Sequence, residues 1–338
     1  MTTSASAMKT RCLITGAGGF IGQALASALL AQPEVSHLIL TDTTAPAHPA
    51  SSNASKENGK PPSVHLHAAD LTDGKHIQWL CDQEFDCIYL LHGIMSGQAE
   101  SNLELGLNVN IDSVRRILDQ LREKKPGVRL VFTSSTAVYG PPPDPDSVFS
   151  ELTAPDPRSS YGAQKHIAET LVNDYSRRGL IDGRIVRLPT VTVRPGKPTG
   201  AASSFASGIF REPLSGEQSV LPVSKDLDLW VCSPRTVVKN LLLAKNIPTE
   251  KYDRKSRIVN LPGITISVQQ MLDALKAVGG EKALGLVHEK KDEATQRIVE
   301  GWPTRLDTTK ARGLGFVSDG PFERTLKEYI EDYTEGQH

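Results

Sequence analysis

Arg11-Cys-Leu-Ile-Thr-Gly-Ala-Gly-Gly-Phe-Ile-Gly22 reads as a short strand, a glycine turn and the opening of a helix. Arg11 to Thr15 is an apolar run bounded by glycines, the pattern of a strand covered on both faces. Ala24, Leu25, Ala28 and Leu29 then recur at helical spacing. In that context a glycine cluster marks a dinucleotide site. Gly16 permits the tight turn, Gly19 lets the backbone approach a pyrophosphate, and Gly22 allows the helix to pack closely on the strand. Phe20 and Ile21 stand at the helix N-terminus, where free N–H groups and a partial positive charge receive phosphates.

Outward from this unit, strands and helical stretches alternate. Segments 11–15, 37–42, 64–69, 86–91, 129–134 and 184–188 carry strand patterns. This rhythm predicts an α/β fold with a Rossmann-type, doubly wound parallel sheet. The second strand ends in Asp42, 20 residues after Gly22. An acid there accepts hydrogen bonds from the adenosine ribose and repels a 2′-phosphate, so NAD is expected rather than NADP. Asp70 ends the third strand, beside Leu71, and is expected near the adenine. Thr43 to Ser63 has no periodicity and reads as a surface loop. Beyond Pro189 the texture becomes loop-like, with a short helix expected at 205–210 and a late strand at 257–261 returning to the main sheet. The expected division is a cofactor domain over 1–189, rejoined by 231–265, and a smaller, discontinuous α/β substrate domain over 190–230 and 266–338.

A second constellation lies between Val131 and Lys165: Phe132-Thr-Ser-Ser135, Val138-Tyr-Gly140 and Tyr161-Gly-Ala-Gln-Lys165. A serine at a strand end and a Tyr-x-x-x-Lys pair on one helix face suit hydride exchange between an alcohol and a ketone. An ammonium beside a phenol favours the phenolate. Lowering a tyrosine from pKa ~10 to near neutrality takes ~4 kcal/mol. A single charge ~4 Å away at an effective dielectric of ~20 supplies about that much.

Composition narrows the class. The 338 residues carry a net charge of −1, which gives no footing for nucleic-acid binding. No apolar run reaches membrane-spanning length, and Met1 to Met8 is too short and polar for a signal peptide. The Asn53-Ala-Ser55 sequon is therefore discounted. Cys12, Cys81, Cys87 and Cys232 show no metal or disulfide spacing, so reduced thiols, no metal and a cytoplasmic location are expected.

Taken together, these motifs resemble the extended short-chain dehydrogenases/reductases, the epimerase–dehydratase superfamily. Thr15 to Gly22, Asp70-Leu71, Asn110, Ser134 to Gly140 and Tyr161-x-x-x-Lys165 stand in that family's order. Ser96 to Glu100, Asn173 to Gly179, Arg187 to Gly196, Ala201 to Gly208, Arg211 to Leu214 and Gly301 to Arg305 are similar to those members that oxidise D-erythronate, a four-carbon sugar acid. The resemblance implies NAD-dependent oxidation of its C2 hydroxyl to a 2-oxo acid. It makes Ser135, Tyr161 and Lys165 the catalytic set, with Thr133 or Ser134 as alternatives to Ser135. It also brings Leu91, Asn110 and Pro189 to the cofactor, along with Tyr161 and Lys165. A carboxylate needs a cation, and Arg194, Arg211 and Arg305 are the candidates. Ser96 and Ser204 are candidates for the substrate hydroxyls. His92 sits beside the nicotinamide position, where a packed histidine is the expectation. Leu90-Leu-His-Gly93 departs from the family's His-Leu-Ala-Ala. The family pattern further implies a homodimer through a four-helix bundle built from helices near 101–124 and 160–178. Carbonyl reduction of a bulkier ketone and nucleotide-sugar epimerisation are the competing functions.

Overall fold

A computed structural model describes residues 9–50, 62–198, 200–253 and 255–334. Met1 to Met8, the Asn53 sequon and the middle of the Thr43–Ser63 loop lie outside those residues. The chain forms β1 (Thr10–Thr15), α1 (Phe20–Leu30), β2 (Val35–Asp42), β3 (Ser63–Ala68), α2 (Gly74–Asp82) and β4 (Cys87–Leu90). Two short helices, α3 (Ser96–Ser101) and α4 (Leu103–Leu107), precede α5 (Ser113–Lys124), β5 (Arg129–Ser135), α6 (Ser160–Arg177) and β6 (Asp182–Leu188). Then come β7 (Thr190–Val191), α7 (Phe205–Leu214), β8 (Ser219–Leu221), β9 (Asp228–Cys232), α8 (Pro234–Asn246), β10 (Ile258–Asn260), β11 (Ile264–Ser267), α9 (Val268–Leu284) and β12 (Val287–Glu289).

Seven strands make the main sheet in the order β10-β6-β5-β4-β1-β2-β3, and the pairs are parallel. The expected strands are all there. Cys12, Leu13, Ile14 and Thr15 are fully buried because helices cover both faces. Packed on one face are α1 and α8, with Leu25, Leu29, Val237 and Leu241 in the core. The opposite face takes α2, α5 and α6, through Ile77, Ile117, Leu121 and Val172. Strand order reverses between β1 and β4, and such a switch point opens a crevice at the carboxyl ends of the strands. The late strand returns to the main sheet as expected, with β10 pairing β6. Beyond the sheet, β7, β9 and β11 form a small three-stranded sheet, and α7 and α9 share a separate core with Val193, Phe210 and Met271. All four cysteines are buried and unpaired.

One helix differs from expectation. The stretch 101–124 is not continuous: Asn102 leaves helical geometry (φ −139°, ψ 87°) and its side chain accepts from the Leu105 N–H, restarting the helix as α4. A π turn at Asn108–Asp112 then joins α4 to α5. The wider turn places Asn110 in the interior, where it is 2 % exposed. By contrast α6 is one continuous helix, opened by a Ser159 side chain accepting from the Gly162 N–H.

Candidate active site

A cleft of ≈ 990 Å³ lies at the carboxyl ends of the sheet strands, lined by the glycine turn, Asp42, Leu91, Ser135, Tyr161, Lys165 and Pro189 among others. The turn needs its glycines. Gly16 has φ +68°, and a Cβ there would lie 2.7 Å from the His92 backbone nitrogen. A Cβ on Gly22 would lie 2.5 Å from the Gly16 carbonyl oxygen, so α1 sits directly on the turn. At Gly19 a Cβ would meet only the Gly16 oxygen at 3.4 Å and would fill the cleft itself. The first turn of α1 holds no acidic residue, so no side chain of its own competes for its N–H groups. Phe20, Ile21 and Leu71 line the same wall.

Asp42 also lines the cleft, and its carboxylate accepts from Gly18 N–H at 2.9 Å and Thr43 N–H at 2.7 Å. Asp70 lines it too, but its carboxylate is turned onto its own loop, accepting from Thr72 N–H and Oγ1, which holds its pKa below the ordinary value. A phosphate cradle at a helix N-terminus and an acid at the adenosine end fit NAD. We expect Asp42→Asn to erode the preference for NAD over NADP at least tenfold, or ~1.4 kcal/mol. The ratio of kcat/KM for the two cofactors measures this, and an unchanged ratio removes Asp42 from ribose recognition.

The end of β5 presents three hydroxyls in sequence. Thr133 Oγ1 donates to the Leu90 carbonyl, and Ser134 Oγ donates to Glu169 at 2.8 Å. Ser135 alone is hydrogen-bonded to the Tyr161 phenol, and its Oγ also accepts from Ala137 N–H at 3.1 Å. Lys165 Nζ donates to the Thr133 carbonyl at 3.0 Å and lies 5.7 Å from the centre of the Tyr161 ring. Burial pulls the Lys165 ammonium down to about 8. Burial likewise pushes the Tyr161 phenol up to about 12, against the pull of the Ser135 hydrogen bond. The expected ammonium-driven lowering of Tyr161 does not appear: the Ser135 hydrogen bond is the one downward pull on the phenol, and desolvation outweighs it.

His92 is the packed histidine. Ser113 Oγ donates to the Val109 carbonyl, so it accepts from His92 Nε2, while Nδ1 lies 2.7 Å from Thr15 Oγ1. Burial drives its pKa to about 3, so the ring is neutral.

Several expected contacts are corrected. Asn110 does not line the cleft: its side chain accepts from Ile94 N–H and donates to the Ile94 and Gln164 carbonyl oxygens, holding the Gly93–Ile94 segment from behind. Arg211 is not in the lining either, because Glu212 takes its guanidinium at 2.5 Å and the Arg194 carbonyl accepts from it at 3.3 Å. Ser204 gives its place to Ser203, and Arg305 turns outward onto the Pro145 carbonyl. Arg194 and Ser96 do line the cleft. Arg194 is 8 % exposed and its guanidinium lies 5.9 Å from the Phe20 ring centre. Burial, and then the charge of Arg211, bring its pKa down to about 10. Ser96 Oγ accepts from Ala202 N–H at 3.0 Å, tying α3 to the segment that leads into α7. Thr190, Met95, Gln98 and Trp302 join the lining without having been singled out for it. Among the described residues no acidic, histidine or cysteine group is placed to hold a metal, and no helix is long and apolar enough to cross a membrane.

Residues 12–230 match the model of the NAD dependent epimerase/dehydratase family. D-erythronate dehydrogenase from Haemophilus influenzae is 42% identical over 323 residues, covering 95% of this chain and 99% of that protein. D-erythronate dehydrogenase from Cupriavidus necator is 40% identical over 329 residues, covering 95% and 98%. Among solved structures, the nucleoside-diphosphate-sugar epimerase from Agrobacterium tumefaciens superposes with a TM-score of 0.88 at 35% identity, over 100% of this chain and 98% of that one.

Proposed function

Because the chain belongs to the NAD-dependent epimerase/dehydratase family and is an NAD-dependent oxidoreductase, we propose that it oxidises the C2 hydroxyl of a small sugar acid, D-erythronate or a near relative, to the 2-oxo acid. The observation that carries the substrate class is Arg194. Besides Lys165 it is the one lysine or arginine among the described cleft-lining residues, and Lys165 belongs to the catalytic set. A buried guanidinium facing a ligand site is suited to a carboxylate.

In this reading Ser135 donates a hydrogen bond to the substrate oxygen and orients it. Tyr161 takes the hydroxyl proton, and Lys165 holds its positive charge beside the phenol. The Gly16–Gly22 turn and Asp42 would hold NAD, which would supply the hydride acceptor for the same carbon. The alcohol thus loses a hydride and a proton, and the C–O bond becomes a carbonyl. The cofactor domain spans 1–189 with 231–265, and the smaller substrate domain spans 190–230 with 266–338. The four buried, unpaired thiols suit the cytoplasm.

Arg194→Leu tests the carboxylate pairing. Losing a charge-assisted hydrogen bond costs about 1.5–3 kcal/mol, or roughly 10- to 150-fold in kcat/KM for the sugar acid. Uncharged ketones should be unaffected, and equal losses on both substrate types would remove Arg194 from carboxylate recognition. The Agrobacterium relative's name favours epimerisation of a nucleotide sugar as the second reading. That reaction regenerates its NAD, so net NADH release separates the two.

We also propose a homodimer. Leu103, Leu107 and Ile167 are 57%, 40% and 44% exposed on α4 and α6, the helices expected at the interface. Ile167→Glu should convert a sedimenting dimer to monomer at micromolar concentration, and a wild-type monomer would refute the proposal.

A further inference from the structure

We infer that Glu169 is a positioning residue that fixes where Ser135 meets Tyr161, acting through both ends of the turn that carries the serine. The inference rests on the Ser135–Tyr161–Lys165 reading above. Glu169 follows Lys165 by four residues and Tyr161 by eight, so the three share one face of α6. Its carboxylate is fully buried and lies outside the cleft lining. A buried carboxylate is costly unless its oxygens are paired and hydrogen-bonded. Arg187 Nε donates to it at 3.0 Å, a second Arg187 nitrogen pairs with its other oxygen, Ser134 Oγ donates at 2.8 Å, and His166 Nδ1, from the same helix, lies 3.2 Å from it.

The arrangement closes a loop. Ser134 precedes Ser135 in β5 and points to the opposite face of the strand, so anchoring Ser134 sets the direction of its neighbour. Arg187 is the register partner of Ser134 across β5 and β6. Its guanidinium also donates to the Tyr139 hydroxyl, which in turn donates to the Ser150 carbonyl at 2.7 Å. Tyr139 ends the short 3₁₀ turn Thr136–Val138 that Ser135 Oγ caps. One carboxylate on the helix of Tyr161 thus holds the serine-bearing turn at Ser134 directly and at Tyr139 through Arg187. Apolar packing between β5 and α6 is non-directional, whereas these bonds are directional.

Removing Glu169 outright risks the fold, so the test uses Ser134→Ala and Tyr139→Phe, each of which releases one end of the clamp. Both should lower kcat about tenfold with KM for NAD within about twofold, and move the pH limb of kcat toward higher pH, because a loosened Ser135 hydrogen bond lowers the phenol less. Glu169→Gln, which keeps the shape and one acceptor, should retain more kcat than Glu169→Ala. Wild-type kcat and an unmoved pH limb in both clamp variants, with melting temperature alone reduced, would overturn the proposal. The series is run on D-erythronate, or on an uncharged ketone if the wild-type chain ignores sugar acids. Failure of the substrate reading therefore shows in the wild type, and failure of the clamp only in the variants.

Discussion

Tyr161→Phe is expected to bind NAD as the wild type does and to lose about 10³-fold in kcat, or ~4 kcal/mol of transition-state stabilisation. The substitution removes one oxygen from a half-buried ring and leaves the glycine turn, Asp42 and the Lys165–Thr133 contact intact. Cofactor titration by fluorescence and steady-state turnover separate the two effects. Full turnover in the variant contradicts the assignment of the base. The pH dependence has a definite sign. With the phenol held up to about 12, its basic form is scarce at neutral pH, so alcohol oxidation should quicken as pH rises. Lys165, pulled to about 8, keeps its charge only below that pH, which bounds the rise from above. In Tyr161→Phe the rising limb should vanish.

Arg187→Met is expected to destabilise the chain by about 3–5 kcal/mol, because it leaves the buried Glu169 carboxylate with only His166 Nδ1 and Ser134 Oγ against it. Arg187 is 1% exposed and Glu169 is fully buried, so water reaches neither. Folded domains are stable by roughly 5–15 kcal/mol, so a loss of this size endangers folding itself. The double variant Arg187→Met, Glu169→Leu should recover much of the loss, since replacing both charges removes the orphaned ion. Denaturant midpoints measure both steps, and a single-variant loss below ~1 kcal/mol contradicts the account. Against the upward pull of burial, hydrogen bonds from His166 and then Arg187 keep the Glu169 pKa below its ordinary value. The stability they contribute is therefore present above the unfolded carboxylate pKa and is lost as pH falls through the lower folded one.

The parts of this site that the sequence displays are those fixed by backbone rules. The Gly16–Gly22 turn, the acid at the end of β2 and the one-turn spacing of Tyr161 and Lys165 depend on local geometry, and each arrived where the pattern placed it. What stayed hidden depends on partners far along the chain. Glu169 and Arg187 lie 18 residues apart and look like surface charges until β6 comes into register beside β5. Arg211 has a carboxylate next to it in Glu212, yet only the fold of α7 shows that the two pair instead of facing substrate. Asn110 is turned inward by a π turn within a stretch that reads as one continuous helix, and no spacing reveals such a turn. The sign of the Tyr161 shift was missed for a physical reason: spacing reveals the neighbouring charge, whereas desolvation depends on the walls of a cleft assembled from distant segments.

The most direct test of the central claim is NADH absorbance after mixing the purified chain with NAD and four- to six-carbon aldonates, D-erythronate among them. Steady NADH production on one stereoisomer is expected, with a 2-oxo acid as product. No NADH with any aldonate, together with NAD retained by the protein and released only on denaturation, would contradict it and favour epimerisation.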